Sequence, residues 1–471
     1  MAEAEKVENL VLGGGEAGKY VAWELAKAGR PVTVVERALV GGSCPNVACL
    51  PSKNIIASAR VAALARRLES YGARAGAVEV DMAGVRARKR AMVSGMIRIH
   101  EQRFAAPGIE FVLGEGVFTG PRSLQVKLAG GGTRRITAER VFLNLGTHAA
   151  IPPVPGLAAA APLTHVEALE LGRLPEHLVV LGGGPVGCEL AQAFRRFGAL
   201  VTILQRGPQL LPREDPDLAE EVRAVFLDEG IEVVLGAETL AVEGRSGEHL
   251  ALRVATPAGE RRIEASDLLV AAGRSPSTGG IDLDAAGVEV DARGYVKVDE
   301  QLRTSVPKVW AMGDCAGSPQ FTHVAFDDFR IVRAQLDSAG WPARSTRDRL
   351  VPHCTFLDPE LGRVGLSETE ARHQRREVRV VTLPLSAVLR ARAIGETRGL
   401  MKVLLDTTSD RILGFTMLGV GAGEVIAVVQ TAMLAGLPYP ALRDALFTHP
   451  TMAEGLNVLF AGVPARAGTG A

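Results

Sequence analysis

The chain alternates short apolar runs with stretches whose apolar residues recur at helical spacing. The first apolar run, residues 7–12, predicts a buried strand, and a turn at 13–18 leads from it into an amphipathic pattern that continues to Ala28. A second apolar run at 32–36 predicts another buried strand. Strand, glycine-rich turn, helix and strand in this order predict a βαβ unit with a parallel sheet.

The turn of this unit carries glycines in a GxGxxG pattern, at Gly13, Gly15 and Gly18. The first glycine allows a tight turn, the second lets a pyrophosphate approach the backbone, and the third lets the helix pack closely on the strand. The N-terminus of the helix then presents free N–H groups to the phosphates. Glu36, at the end of the second strand, can hold a ribose 2′-hydroxyl. The unit therefore predicts a dinucleotide site.

The same unit occurs a second time. Its parts are a strand at 178–181, a turn with Gly182, Gly184 and Gly187, a helix to residue 197 and a strand at 200–204. The distance from the first glycine to the residue after the second strand matches the distance from Gly13 to Glu36. Two dinucleotide sites are therefore predicted, and a glycine-rich loop that binds nothing is the alternative for each.

The two units end differently. The carboxylate of Glu36 would repel a 2′-phosphate, whereas Gln205 and Arg206, with Arg213 a few residues on, offer a guanidinium to one. We therefore predict that the first site holds FAD and that the second prefers NADPH. NADH stays possible, because arginines also follow strands for solubility alone.

The chain crosses between the two units twice. A predicted strand at 141–145 leads into the proline-rich segment 151–156, and a predicted strand at 268–272 leads back. A short strand then ends at a Gly-Asp pair. The residues that follow these three strands are predicted to contact a cofactor: Gly146, Thr147, Gly273, Arg274, Gly313 and Asp314.

From about residue 351 the pattern changes to longer strands at 378–383, 400–405 and 412–418, each followed by helical spacing or a turn. The predicted fold class is α/β, with two Rossmann-like dinucleotide-binding domains and a C-terminal α+β domain. The predicted boundaries are 1–152 for the FAD-binding domain, 153–275 for the NAD(P)-binding domain, 276–348 for a return segment that completes the FAD-binding domain, 349–465 for the C-terminal domain and 466–471 for a flexible tail.

Two cysteines, Cys44 and Cys49, stand five residues apart. On a regular helix such a pair faces different directions, so a bridge between them requires an irregular turn, and Gly41, Gly42 and Pro45 suit one. A bridge of this kind is easily reduced and favours redox catalysis. Two unlinked thiols or half of a zinc site are the alternatives. Zinc would need further ligands at short spacing, and we predict no resident metal.

Composition limits the partners. The 471 residues include 53 Lys and Arg and 53 Asp and Glu, so the formal net charge is zero. This balance gives no indication of binding to nucleic acid or to an anionic membrane surface. We find no apolar run long enough to span a bilayer. Five cysteines with one local pair indicate a reducing cytoplasm rather than a secreted disulfide framework. Cys188, Cys315 and Cys354 are predicted to be buried packing residues.

His449 and Pro450, near the C-terminus, resemble the start of a helix, with Pro450 near the first helical position. Glu454 follows shortly, so His449 could act as a general base oriented by a carboxylate. A capping histidine is the alternative that spacing alone leaves open.

Five motifs in this order resemble those of the class I pyridine nucleotide-disulfide oxidoreductases, the group of glutathione reductase, dihydrolipoamide dehydrogenase and mercuric reductase. They lie at 13–18, 44–53, 182–189, 313–314 and 449–454. The resemblance covers about residues 7–462. It implies a homodimer in which each subunit has an FAD-binding, an NAD(P)-binding and a dimerisation domain, and in which both subunits build each active site.

The resemblance also implies a role for each residue near the cysteines. In chain order these are Gly42 and Ser43 as cofactor contacts, Cys44 as the exposed interchange thiol, Cys49 as the thiol against the flavin, Lys53 and Glu189 as an ion pair beside the flavin, and His449, oriented by Glu454, as a base supplied by the partner subunit.

Within the group, the chain resembles the reactive-chlorine-resistance flavoproteins and their mercuric-reductase-like relatives, through segments such as 211–215 and 447–450. The predicted function is electron transfer from NAD(P)H through FAD and the cysteine pair to a soft metal ion or an oxidant-derived acceptor. A dihydrolipoamide dehydrogenase or reductase of small disulfides is one alternative, and a flavoprotein redox sensor that is not an enzyme is another. Ala48, Pro185 and Gln205 replace a glycine, a gating aromatic or aliphatic residue and an acid of the group.

Overall fold

Strands and helices alternate along most of the chain in the computed structural model, which describes residues 4–74, 76–336, 341–347 and 349–464. The predicted tail, 466–471, lies outside the described residues. The described strands are β1 (Glu5–Leu12), β2 (Val32–Glu36), β3 (Ile109–Gly120), β4 (Ser123–Leu128), β5 (Thr133–Leu143), β6 (Thr147–Ala149), β7 (His177–Leu181), β8 (Leu200–Gln205), β9 (Glu232–Leu235), β10 (Glu238–Gly244), β11 (Leu250–Thr256), β12 (Gly259–Ala265), β13 (Asp267–Val270), β14 (Arg274–Pro276), β15 (Val309–Ala311), β16 (His353–Thr355), β17 (Glu360–Gly365), β18 (Val378–Pro384), β19 (Leu400–Asp406) and β20 (Ile412–Gly419).

The described helices range from single turns to six turns. They are α1 (Glu16–Lys27), α2 (Ser43–Asn46), α3 (Cys49–Arg66), α4 (Met82–Phe104), α5 (His165–Ala168), α6 (Pro185–Phe197), α7 (Pro216–Asp228), α8 (Leu283–Ala286), α9 (Thr322–Leu336), α10 (Glu368–His373), α11 (Leu389–Ala393), α12 (Ala422–Leu434), α13 (Pro440–Arg443) and α14 (Gly455–Ala461). None of these helices is both long and apolar enough to cross a membrane.

The first sheet has a parallel core in the order β3-β2-β1-β5-β15, and β4 pairs antiparallel with the outer parts of β3 and β5. Alternate residues of β1 enter different cores, because successive side chains of a strand point to opposite faces. Val11 packs with residues of α1 and α9, whereas Leu10 and Leu12 pack on the other face. Since β15 follows the second sheet in the chain, the chain leaves the first sheet and returns to it.

The second sheet has the parallel order β13-β7-β8-β9, and a three-stranded antiparallel sheet, β10-β11-β12, lies beside it. The last four residues of β7 and residues Val201 to Leu204 of β8 are buried. Burial on both faces explains why these strands read as continuous apolar runs rather than as an alternation. A short antiparallel pair, β6 with β14, forms where the chain crosses between the two sheets.

The third sheet is antiparallel, in the order β16-β17-β20-β19-β18. Its core includes Phe415 of β20, Val425 and Val429 of α12, and Leu459 of α14, all of them buried. The predicted class, α/β with a C-terminal α+β unit, is confirmed.

Two predicted strands end earlier than expected. The strand predicted at 141–145 ends at Leu143, because Asn144 turns its side chain away to bind other segments. Its Oδ1 accepts a hydrogen bond from the Gly18 N–H at 3.0 Å, and its Nδ2 donates to the Met312 carbonyl at 3.0 Å. The strand predicted at 268–272 ends at Val270.

The predicted helix start at Pro450 is wrong, because the last described helix begins at Gly455. The preceding residues form a loop in which the Thr451 hydroxyl accepts the Glu454 N–H at 3.2 Å. The physical reason lies in the His449–Glu454 contact. Residues five apart on a helix face different directions, so the two side chains can meet only if the chain loops.

A buried lysine, Lys402 on β19, joins the segment at the start of α7 to α10. Its Nζ lies 2.5 Å from Asp217 Oδ2, 2.6 Å from Glu368 Oε1 and 3.5 Å from Asp215 Oδ2. Asp215 also accepts hydrogen bonds from the backbone N–H groups of Glu368 and Thr369, the first residues of α10. The ammonium is therefore the counter-ion of three carboxylates, and these carboxylates raise its pKa against the opposing effect of burial.

Replacing Lys402 with methionine is expected to destabilise the protein by about 3–5 kcal/mol, because it leaves carboxylates without their buried counter-ion. Urea unfolding of the flavin-loaded protein measures this as a lower midpoint. Lys297→Met is the matched control. Lys297 is about half exposed and lies 3.2 Å from Glu289, so its loss is expected to cost less than about 1 kcal/mol. Equal midpoints for the two variants would contradict this account.

Candidate active site

One cavity of about 2720 Å³ connects both glycine loops with the cysteine pair. It is several times larger than a pocket for one small ligand, so two dinucleotides fit its volume. Most of the residues predicted for the site line this cavity. The exceptions among them are Gly18, Gly187, His449 and Glu454.

The first glycine loop leaves no room for side chains at the three glycines of its motif. A Cβ on Gly13, whose φ is +97°, would lie 2.3 Å from the Asn144 carbonyl oxygen, and a Cβ on Gly18 would lie 2.3 Å from the Gly13 oxygen. Gly18 therefore packs helix on strand, as its position in the motif predicts. Glu36 Oε2 accepts the Gly14 N–H at 2.8 Å, and its other oxygen accepts two further backbone N–H groups. These bonds hold the carboxylate at the cavity wall.

The second loop repeats this geometry with one chemical change. A Cβ on Gly187 would lie 2.0 Å from the Gly182 oxygen. Gln205 Oε1 accepts the Gly183 N–H at 2.9 Å, as Glu36 does in the first loop. The amide leaves an NH₂ donor where the first loop has a carboxylate oxygen. Arg206 is exposed at the cavity and forms no ion pair with any residue that the structure describes.

A polar network lies where β6 meets β14. Arg274 Nε donates to the Thr147 hydroxyl at 2.7 Å, and the Thr147 hydroxyl donates to Asp314 Oδ2 at 2.6 Å. Burial raises the pKa of Asp314, and the bond from Thr147 and the Arg274 charge lower it in part. The neighbouring glycines Gly146 and Gly273 have φ of +68° and +129°, backbone conformations that favour glycine. The Arg274 side chain is therefore hydrogen-bonded to Thr147 at the cavity rather than unpaired.

The cysteine loop packs directly on the first glycine loop. A Cβ on Gly42, whose φ is +81°, would lie 2.5 Å from the Gly15 Cα. The short helix α2 then carries Ser43 and Cys44, and Asn46 Nδ2 donates to the Gly42 carbonyl at 2.7 Å. The chain leaves helical geometry at Val47 and Ala48 before α3 begins at Cys49. This irregular turn brings the two sulfurs into contact.

A hydrogen bond joins the sulfurs of Cys44 and Cys49, and the structure holds both as free thiols. This bond, with smaller contributions from the Thr322 hydroxyl and the Lys53 charge, lowers the pKa of Cys49 to about 6 against the opposing effect of burial. The same bond and burial raise the pKa of Cys44 far above its usual range. The pair therefore carries its single negative charge on Cys49.

Lys53 and Glu189 form the ion pair that the resemblance implies. Lys53 Nζ lies 2.7 Å from Glu189 Oε2 and 4.8 Å from the centre of the Phe356 ring. The other oxygen of Glu189 accepts the Phe356 N–H at 2.8 Å. Because Lys53 lies one turn after Cys49 on α3, its ammonium charge acts on that sulfur.

His449 and Glu454 meet away from the cavity. Glu454 Oε1 and Oε2 lie 2.9 and 3.0 Å from His449 Nδ1. The His449 side chain is 62% exposed, so its Nε2 is available to a second molecule. Nothing in this geometry brings it to Cys44 of the same chain, and the resemblance assigns it to the partner subunit's site.

Two departures from the group's pattern, Ala48 and Pro185, lie at the starts of helices. Ala48 directly precedes α3 with φ −128° and ψ −101°, a combination outside the regions that non-glycine residues ordinarily adopt. Pro185 is the first residue of α6, where the missing N–H costs no helical hydrogen bond.

Four residues at the site were not singled out from the sequence as parts of it. They are Asn144, which braces the first glycine loop; Thr322, whose hydroxyl lies 3.3 Å from the Cys49 sulfur; and Glu214 and His353, which form a bond of 2.9 Å at the cavity wall. Asn144 could have been found from the sequence, because it is a polar residue directly after a buried strand. The other three lie far from their partners in sequence, so no spacing could reveal them.

Cys354 corrects one prediction. Cys188 and Cys315 are buried, as predicted, but Cys354 is only half-buried and lines the cavity. The reason is that β16 is the edge strand of its sheet, and its Cys354 side chain lies at the cavity rather than in a core.

The fold and the paired thiols define an oxidoreductase that joins two dinucleotides to a sulfur pair. The chain belongs to the pyridine nucleotide-disulphide oxidoreductase family, whose model matches residues 8–328, while the model of the family's dimerisation domain matches residues 351–459. It is therefore an FAD-dependent enzyme that uses NAD(P)H. The dimerisation domain supports a homodimer.

Individual relatives match nearly the whole chain. The probable pyridine nucleotide-disulfide oxidoreductase RclA of Escherichia coli is 37% identical over 97% of this chain and 99% of its own length. The mercuric reductase of Acidithiobacillus ferrooxidans is 36% identical over 97% of this chain and 82% of its own. A solved Cu(II) complex of the HOCl-induced flavoprotein disulfide reductase RclA from E. coli matches with a TM-score of 0.88 and 36% identity, covering 97% of this chain and 99% of that one.

Replacing Cys44 with alanine is expected to raise the pKa of Cys49 from about 6 toward the ordinary value of a thiol, because it removes the largest stabilising hydrogen bond. The ultraviolet absorbance of the thiolate in the reduced protein, followed against pH, measures the change. Cys354→Ala is the matched control and is expected to leave the pKa of Cys49 unchanged. If the pH midpoint of the thiolate absorbance in Cys44→Ala equals that of the wild type, the assignment of the negative charge to Cys49 is wrong.

Proposed function

We propose that this protein passes electrons from NADPH, through FAD and the Cys44–Cys49 pair, to a soft metal ion or an oxidant-derived acceptor. The contact between the two sulfurs at the wall of a cavity shared by two dinucleotide-type loops carries the proposal. The names of its relatives support the acceptor class, because they include mercuric reductases and a flavoprotein disulfide reductase solved with Cu(II).

The residues at the two loops fit the two cofactors. The glycines of the first loop would admit the FAD pyrophosphate, and Glu36 would accept a ribose hydroxyl. The second loop would take the nicotinamide dinucleotide, with Gln205 and Arg206 at its 2′-phosphate. When bound, FAD would supply the chemistry that takes a hydride from the nicotinamide and makes its two electrons available to a disulfide.

The sulfur pair takes up these two electrons when the bond between Cys44 and Cys49 breaks. The Cys49 sulfur remains as a thiolate, stabilised by hydrogen bonds and by the Lys53 charge, and the Cys44 sulfur takes a proton. Two electrons then pass to the acceptor as the bond re-forms. A disulfide acceptor takes these electrons together with the Cys44 proton and becomes one thiol and one thiolate. A metal-ion acceptor takes only the electrons, as one ion reduced by two electrons or two ions reduced by one electron each, and the Cys44 proton is released to solvent.

His449 of the partner subunit is the base that moves the proton of Cys44 in this proposal. Its Nδ1 faces Glu454, which fixes the ring, so Nε2 is the atom that exchanges the proton. The high exposure of His449 in a single chain supports this role, because the ring is then free to enter a second subunit's cavity.

The predicted domain boundaries and a cytoplasmic location remain part of this proposal. The crossing strands support the approximate positions of two boundaries, because β6 ends shortly before 152/153 and β14 contains 275/276. The use of the cysteines for a redox pair rather than a disulfide framework supports the location.

Arg206→Ala is expected to lower kcat/KM for NADPH by about 10- to 100-fold, because a charge-assisted hydrogen bond to the 2′-phosphate is lost. The value for NADH is expected to change little. Steady-state kinetics with both nucleotides measures this. Arg245→Ala, at an exposed arginine between β10 and β11, is the control. A wild type that prefers NADH would contradict the NADPH assignment.

An acceptor panel tests the proposed function itself. NADPH oxidation is measured with Hg²⁺, Cu²⁺, lipoamide, glutathione disulfide and oxygen alone. Cys44→Ser is expected to lose about 100-fold or more of the turnover with the true acceptor but to keep the slow reaction with oxygen. Cys354→Ser is the control for a cavity cysteine outside the pair. If turnover occurs with lipoamide or glutathione disulfide but not with the metal ions, the protein is a disulfide reductase. If no compound in the panel raises NADPH oxidation above the rate with oxygen alone, the result favours a redox sensor.

A further inference from the structure

We propose that Thr322 is a positioning residue that holds the Cys49 sulfur as a thiolate through a hydrogen bond from its side-chain hydroxyl. The hydroxyl oxygen and the sulfur lie 3.3 Å apart, although 273 positions separate the two residues in the chain. The inference rests on the proposed function, in which Cys49 is the thiol that retains the charge. It adds a residue that no spacing in the sequence assigns.

The direction of this bond follows from the chemistry of the two groups. A thiolate can only accept a hydrogen bond, so the threonine hydroxyl must donate whenever Cys49 is charged. Within the part of the chain that the structure describes, the hydrogen bonds of the Thr322 hydroxyl go only to the two cysteine sulfurs, to Cys49 at 3.3 Å and also to Cys44. When Cys49 carries the charge, its thiolate is the stronger acceptor of the hydroxyl proton.

Two long helices begin at this contact. Cys49 is the first residue of α3, which has 18 residues, and Thr322 is the first residue of α9, which has 15. The positive ends of both helix dipoles therefore lie beside one sulfur, where they favour a negative charge. The Thr322 hydroxyl adds a side-chain hydrogen-bond donor to the effect of the helix dipoles, which the backbone alone does not provide.

The scaffold fixes the hydroxyl in place. Helix α9 is held by the buried carboxylate of Asp328, which accepts hydrogen bonds from the Gly313 N–H at 2.6 Å and from the Ser318 hydroxyl at 2.9 Å. Phe329 of the same helix is buried against α1. A donor at the start of such a helix loses little conformational freedom when the thiolate forms.

The charge of Lys53 does not make the hydroxyl redundant. The ammonium of Lys53 is already paired with Glu189, and that carboxylate raises the pKa of Cys49 in opposition to Lys53. Thr322 acts on Cys44 as well, lowering its pKa, but there burial, Cys49 and Glu16 outweigh it. The hydroxyl therefore contributes to the thiolate of Cys49 without moving the charge to Cys44.

The test uses the flavin-loaded, full-length protein with Thr322→Val, which keeps the shape of the side chain and removes the donor. Two readouts are followed against pH: the long-wavelength absorbance band of the thiolate beside the flavin in two-electron-reduced protein, and the alkylation of Cys49 by iodoacetamide in fully reduced protein, read by peptide mass. Both midpoints are expected to rise by about one pH unit, because the charged form loses a hydrogen bond. The band therefore disappears at a higher pH in the variant than in the wild type.

Thr322→Ser restores the donor and is expected to return both midpoints close to the wild-type values. Thr431→Val, at a helical threonine that bonds to its own helix, is the matched control and is expected to change neither. Midpoints in Thr322→Val that match the wild type, or a shift that Thr322→Ser fails to reverse, would overturn the inference. A wild type without the thiolate–flavin band and without acceptor turnover would instead refute the proposed function, and the alkylation midpoints would still decide the role of Thr322.

Discussion

The close contact between two glycine-lined backbones is the constraint on which the rest of the site depends. Gly42 lies against Gly15 with no space for a Cβ on it, so the loop that carries Cys44 can approach the first glycine loop directly. Any side chain at Gly42 would push the cysteine turn away from the cavity. Because that turn also places Cys49 at the start of α3, one backbone contact positions both sulfurs, Lys53 and the opening for a pyrophosphate.

The chemistry at this contact depends on an unequal division of charge between two identical side chains. A hydrogen bond joins the two sulfurs, while Thr322 and Lys53 stabilise the Cys49 sulfur and Glu16 disfavours a charge on Cys44. The bond between the two cysteines contributes most, and burial opposes the charged form at both positions. The asymmetry is a property of the assembled site, since its contributors come from helices that lie far apart in the chain.

Much of the fold could be predicted because its signals are local. The two strand–glycine–helix–strand units and the long strands of the third sheet were predicted at nearly the observed positions, since buried parallel strands and glycine turns leave continuous patterns in the sequence. Errors occurred where a side-chain contact decides the local structure. Asn144 ends its strand to reach the distant residues Gly18 and Met312, whereas His449 leaves the helical pattern to reach Glu454, which is only five residues further on. Cys354 faces the cavity because of its place at a sheet edge.

The sequence by itself determined the two dinucleotide units, the cysteine pair and the family, because each depends on residue types at short, fixed spacings. Only the tertiary structure decided which sulfur holds the charge, which polar groups surround it and that His449 faces away from its own chain's cavity. The physical reason is that hydrogen bonds and burial act over a few ångströms in space. The residues that supply them at Cys49 come from segments near 49, 189 and 322, whose approach is a consequence of the whole fold.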